Sequence, residues 1–136
     1  MTSFVYDKAR EKFLNGGINW SSDTIKAVLV PAAYAQNAAS HEFLSSITSG
    51  NRLATSAALT SKSSNAGVAD AADTVFTAVT SASQGVAVVL YKDTGTDTAS
   101  PLIAYIDQAT AGLPVTPNGG DINVIWDNGA NKIFKL

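Results

Sequence analysis

The chain has 136 residues, with 9 basic against 11 acidic side chains, a net charge of -2, no cysteine and 15% charged residues. That length fits one domain, spanning 1–136, which buries about two thirds of the surface its unfolded form exposes. The absent thiols exclude disulfides, thiol catalysis and thiolate metal sites, and the lack of any basic cluster makes nucleic acid and anionic membrane poor partners.

The opening MTSFVYDKAREKF carries charges where a secretory leader needs its apolar stretch, so synthesis in a cytoplasm without export by that route is expected. No apolar run approaches the roughly 20 residues that span a bilayer. Within FVYDKAREKFL, helical spacing places Tyr6, Ala9, Phe13 and Leu14 on one face and Asp7, Lys8, Glu11 and Lys12 largely on the other, predicting a helix over about 6–15. Asn15, Gly16 and Gly17 supply its left-handed stop. TIKAVLV (24–30) is β-branched and apolar, and Pro31 closes it as a strand. The Ala-rich stretch after it is ambiguous, with a short helical turn around His41 to Ile47. RLATSAAL (52–59) alternates weakly, SKSSNAGVADAAD (61–73) reads as an exposed loop, and DTVFTAV (73–79) as a strand.

From there QGVAVVLYK (84–92), PLIAYID (101–107), DINVIWD (121–127) and NKIFKL (131–136) are short strands at regular spacing, and DNGAN favours a tight hairpin between the last two. Strands at this spacing after one helix predict a mainly β fold, an antiparallel β-sandwich or partly open barrel with one N-terminal helix and at least five strands. The expected core is Phe13, Leu14, Ile25, Ala27, Leu29, Phe76, Val86, Val88, Leu90, Ile103, Tyr105, Ile122, Val124 and Trp126.

Residues that could carry chemistry are few. His41, the only imidazole, stands beside Glu42 and reads as a loop or helix-end residue. No Ser lies in a G-x-S-x-G elbow. Asp93 and Asp97 in DTGTDT lack the 12-residue loop and closing Glu of a calcium site and read as an exposed, dispensable turn. Asp121 and Asp127 bracket a strand about 20 Å apart, too far for a glycosidase pair. The NGG and NGGD segments lead into no Lys-Ser/Thr helix and are turns. Trp126, alternating with Ile122 and Val124, is expected in the core, and Trp20 at the helix-to-strand turn. No catalytic residue, metal site or cofactor is expected.

KAREKFLNGGINWSSDTIKAVLV at the front, the LAT segment around Leu53 to Thr55, and PLIAYIDQATAGLPVTPNGGDINVIWDNGANKIFKL at the back together resemble a widespread family of small structural proteins of tailed bacteriophages. The match covers most of both ends and leaves the Ala-rich middle unconstrained. The resemblance implies a non-enzymatic virion protein, similar to the head decoration or cement proteins that bind the major capsid protein at the capsid surface. A tail, neck or fibre-associated virion protein is the alternative, and a small soluble enzyme or ligand-binding domain a distant third. The low charge fraction, against about 25% in ordinary domains, fits a surface partly covered by neighbours or a lineage biased to small residues. A homo-oligomer is expected, with a trimer as first candidate. The strand residues Lys132, Ile133, Phe134, Lys135 and Leu136 are its expected assembly contacts, with the loops at 32–40 and 60–72. Two readings of that strand stay open: an edge buried against a neighbouring molecule, or the completion of an internal sheet.

Overall fold

The computed structural model describes residues 3–80, 83–107, 113–126 and 132–136. In chain order it contains β1 (Phe4–Val5), α1 (Asp7–Leu14), β2 (Ile25–Pro31), β3 (Ala54–Thr55), β4 (Ser63–Asn65), β5 (Val68–Asp70) and β6 (Thr74–Phe76), then β7 (Gly85–Lys92), β8 (Leu102–Ile106), β9 (Ile122–Val124) and β10 (Phe134–Lys135). Short 3-10 turns stand at Leu44–Ser46, Ser49–Asn51 and Asp97–Ala99, the first within the helical turn expected around His41 to Ile47. Every strand pair is antiparallel. The expected class, mainly β with one N-terminal helix, is the one observed. Among the described residues the strands form an open five-stranded sheet β1-β8-β7-β2-β3, a three-stranded sheet β10-β5-β4 and the pair β6-β9, with no closed barrel.

The centre of the molecule is the β2–β7–β8 meander. Its apolar runs do not alternate, because both faces of these strands are covered: Ala27 to Val30, Ala87 to Leu90 and Leu102 to Ala104 are all fully buried. Two-sided burial is why continuous Val, Ile and Leu runs replace the alternation of a half-exposed sheet. The register pairs Val88 with Ile106 and Leu90 with Ala104, and directly opposed residues share a face. Ile103 and Tyr105 therefore lie on the face opposite Val88 and Leu90, although all four belong to the core. One continuous hydrophobic cluster joins the three sheets.

The helix ends as its sequence predicts. Gly16 adopts φ 82, and the Gly17 amide donates to the Lys12 carbonyl at 2.7 Å, the long-range bond of a Schellman cap. Its packing face is narrower than expected. Tyr6 and Ala9 are buried and Phe13 half-buried, but Leu14 is 89% exposed and does not belong to the core. A step of about 100° from Phe13 carries Leu14 off the stripe formed by residues 6, 9 and 13. Val86 is also only half-buried, packed against the margin of the cluster.

Two further expectations need correction. The stretch read as an exposed loop, 61–73, contains the β4–β5 hairpin, closed by Ala66 at φ 51 and Gly67 at φ 81. Two successive left-handed residues make the tight primed turn that matches strand twist, and Ala in the first position conceals the usual Asn-Gly signal. Conversely, β9 and β10 form no hairpin with each other: β9 pairs with β6 and β10 with β5. The DNGAN residues 127–131 lie outside the described residues. No helix among the described residues is long and apolar enough to cross a membrane.

Candidate assembly surface

The five expected contact residues, Lys132 to Leu136, contribute the outer strand of the β10–β5–β4 sheet. The Ile133 amide donates to the Ala69 carbonyl at 3.2 Å and the Leu136 amide to the Gly67 carbonyl at 3.0 Å. Ile133 and Phe134 are buried, Lys135 is exposed, and Leu136 is 53% exposed. The strand thus completes an internal sheet along one side, while its other side pairs with no described strand. Burial divides the segment in two: Ile133 and Phe134 belong to the core, and Lys135 and Leu136 to the surface.

Phe134 is held by residues from the other end of the chain. Its ring meets Trp20 edge-on at 5.2 Å between centroids and lies 6.2 Å from Phe13, a spacing at which aromatic pairs add about 0.5–1.5 kcal/mol beyond their burial. Trp20 is buried, and its indole N–H is shared between the carbonyls of Ser63 at 3.0 Å and Asp70 at 3.3 Å. One residue therefore ties the turn after α1 to both strands of the hairpin. Neither Trp20 nor Trp126 presents an open ring for stacking a sugar or base.

Phe13, Ile18, Trp20, Phe134 and Leu136 wall a surface groove of about 380 Å³. Small residues of the hairpin, including Ser64, Ala66 and Ala69, complete its lining, and their size is why the groove exists. Little in the residue order announces it, because it depends on a hairpin that reads as a loop and on a β10–β5 pairing that spans about half the chain.

Most cations of the described residues are already paired. Of the 9 basic side chains, six are in ion pairs: Lys8–Glu11, Arg10–Asp7, Lys12–Glu42, Lys26–Asp93, Arg52–Asp97 and Lys92–Asp23. Lys62 donates to the Asp23 carbonyl. Lys132, just before β10, and Lys135, within it, have no such partner among the described residues.

The remaining candidates form structural contacts. His41 Nδ1 lies 2.8 Å from the Tyr34 hydroxyl, itself 2.8 Å from the Tyr6 hydroxyl. Burial pushes the Tyr6 phenol far above its usual range and raises Tyr34, while burial lowers His41. A neutral imidazole joined to phenols that resist ionisation has no activated nucleophile to serve. The sign of each shift predicts a pH profile. The unfolded chain protonates His41 before the folded one does, so stability falls as pH drops through about 6.5. Tyr6, Tyr34 and Tyr105 are raised and Tyr91 is pushed up to about 12, each chiefly by burial. Stability should therefore also fall above about pH 10, where only the unfolded phenols ionise. Thermal melts across that range check both limbs, and a melting temperature unchanged above pH 10 contradicts the second.

Asp93 and Asp97 do not form a free turn, as expected from the sequence, but are tied to cations. Asp93 Oδ2 meets Lys26 at 2.9 Å, and that hydrogen bond holds its carboxyl below the ordinary value. Asp97 meets Arg52 at 2.6 Å, while Arg52 also donates to the carbonyls of Ile47 at 2.8 Å and Leu44 at 3.1 Å. Arg52→Ala is expected to cost about 1–3 kcal/mol, chiefly through the carbonyls it leaves unpaired; urea unfolding measures it. Asp121 accepts from the Ala78 amide at 2.9 Å, and Asp127 lies outside the described residues. Among the described residues no cluster of three His, Cys, Asp or Glu side chains could hold a metal ion.

No protein-family model matches this chain, and no curated protein matches it in sequence.

Proposed function

We propose that the chain is a non-enzymatic structural protein of a tailed-phage virion, and within it a capsid decoration or cement protein. In this reading it binds the major capsid protein and copies of itself, stabilises the head, and reaches the capsid surface after synthesis in the host cytoplasm. The observation that carries the proposal is the meeting of the two segments that bear the resemblance. Phe13, Ile18 and Trp20 from the front and Phe134 and Leu136 from the back wall one groove, so the residues that look like the family come together on one surface.

The physical logic suits a shell component. A half-exposed edge strand with an apolar groove beside it is a feature free monomers usually blunt. Repeated over a capsid, many weak copies of one contact stabilise the shell through effective concentration without any single tight bond. The half-buried His41, the paired Asp93 and Asp97 and the closed Trp rings are used in the fold, which is consistent with a binding role.

Adding purified protein to heads that lack it, and separately to isolated tails, tests the proposal. Saturable binding to heads with a rise in their thermal resistance is the expected result. Binding to tails alone moves the assignment to a tail, neck or fibre-associated protein, and binding to neither rejects both.

A further inference from the structure

We infer that Asn15 is a site of spontaneous deamidation, selected by the fold over the second Asn-Gly pair at Asn118, and that its modification unseats the cap of α1. This is covalent chemistry of the chain itself and needs no capsid.

Asn-Gly is the reactive pairing because glycine, without a Cβ, lets the following amide nitrogen approach the side-chain carbon. The Gly16 amide nitrogen gives its proton to solvent base and attacks Asn15 Cγ. The new N–Cγ bond closes a five-membered succinimide, and the side-chain nitrogen leaves as ammonia, taking up a proton from solvent as it goes. Water then opens either imide carbonyl and leaves an aspartate or an isoaspartate. One water is consumed, one ammonia is released, and nothing is oxidised or reduced.

The chain holds three such pairs, at 15–16, 118–119 and 128–129, the last of them outside the described residues. The first two form a matched comparison. Asn15 and Asn118 are both exposed, and each precedes a left-handed glycine, Gly16 at φ 82 and Gly119 at φ 89. Each side-chain carbonyl accepts from the amide two residues on, Gly17 at 3.1 Å and Gly120 at 2.9 Å, so each side chain folds back across the amide in between. That intervening amide, the nucleophile, is where they differ. The Gly119 amide donates to the Val79 carbonyl at 2.7 Å, while the Val79 amide donates to the Gly120 carbonyl at 3.0 Å. The Gly16 amide makes no hydrogen bond to any described residue. Attack at Asn118 therefore has to break a short bond in a paired segment, and attack at Asn15 breaks none.

The position of Asn15 gives the reaction a structural consequence. Isoaspartate routes the main chain through the β-carbon and adds one backbone atom between Lys12 and Gly17. The Gly17 and Ile18 amides both donate to the Lys12 carbonyl, at 2.7 and 3.3 Å, and the Gly17 carbonyl accepts from Lys92 Nζ at 3.0 Å. These contacts span the lengthened stretch. Either product also sets a carboxylate at the C-terminal end of α1, where the helix carbonyls already concentrate negative charge. Phe13 and Ile18, on the two sides of this cap, wall the groove beside β10, so the modification acts on that surface.

The test is prolonged incubation of the purified full chain at one mildly alkaline pH, folded and in denaturant. Peptide mass spectrometry follows the conversion of amide to acid, and fragmentation assigns it to Asn15 or Asn118. In the folded protein Asn15 should convert roughly three- to tenfold faster than Asn118, the rate equivalent of one hydrogen bond. In denaturant the two rates should converge, because the protecting bond to Val79 is gone. The isoaspartate-15 form, separated by ion exchange, should melt below its parent. A folded protein in which Asn15 stays intact, or in which Asn118 converts as fast, overturns the inference. A rate ratio that persists in denaturant overturns it as well, since flanking sequence and not the fold would then select the site. An isoaspartate form that melts with its parent overturns the claim on the cap.

Discussion

Removal of Lys132 to Leu136 is expected to lower the stability of the domain by roughly 3–6 kcal/mol, from two buried side chains at about 1.5–3 kcal/mol each. Ile133 and Phe134 are 5% and 7% exposed, and Phe134 is the ring on which Phe13 and Trp20 close. The truncation also unpairs the outer side of β5. Against a total of about 5–15 kcal/mol for a typical domain, the loss is large enough to leave a fraction of the chain unfolded near physiological temperature. Lys135→Glu and Leu136→Asp, on the exposed half of the same segment, should each stay within about 0.5 kcal/mol. Urea unfolding of the three variants separates the roles, and a truncated protein as stable as wild type would show that β10 takes no part in the core.

Trp126→Ala is expected to be comparably severe, at about 3–5 kcal/mol. The side chain is 2% exposed. Its indole N–H donates to the Ala72 carbonyl at 3.1 Å, and its backbone amide to Asp73 Oδ1 at 3.1 Å. This residue locks the segment after β9 to the one before β6. Trp126→Phe keeps most of the apolar volume but leaves the Ala72 carbonyl without that donor, so about 1–3 kcal/mol should remain. The chain has only two Trp residues, so Trp20 fluorescence reports unfolding in both variants. A Phe variant as damaging as the Ala variant would mean that the hydrogen bond, and not packing, carries the contribution.

Much of the fold could be read from residue order because the decisive elements are local. The β2, β7 and β8 runs announce themselves by β-branched and apolar content, and the Asn15-Gly16-Gly17 stop fixes the end of α1. What could not be read depends on long-range pairing. Whether Ile103 or Ala104 faces Leu90 follows from an irregularity in the ladder at Leu90/Tyr91, and nothing local marks it. The β4–β5 hairpin was concealed by Ala in a left-handed position, where Asn or Gly is the usual signal.

The candidate surface was legible only in part. Phe134 and Leu136 stood out as apolar residues near an edge, but their division between core and solvent follows from the pairing of β10 with β5. Leu14 looked like core because a helical face drawn generously includes it, and only the packed helix shows how narrow the buried stripe is. Arg52, which ties Asp97 to two backbone carbonyls, had no sequence signature: its partners come from two separate turns, at Leu44 to Ile47 and at Asp97.

The most direct measurement of the proposed function is the copy number of this chain in purified virions, by quantitative mass spectrometry against the major capsid protein. A decoration protein follows the symmetry of the shell, and hundreds of copies in fixed ratio to the capsid subunit are the expected result. Three, six or twelve copies per particle, or none at all, would contradict it.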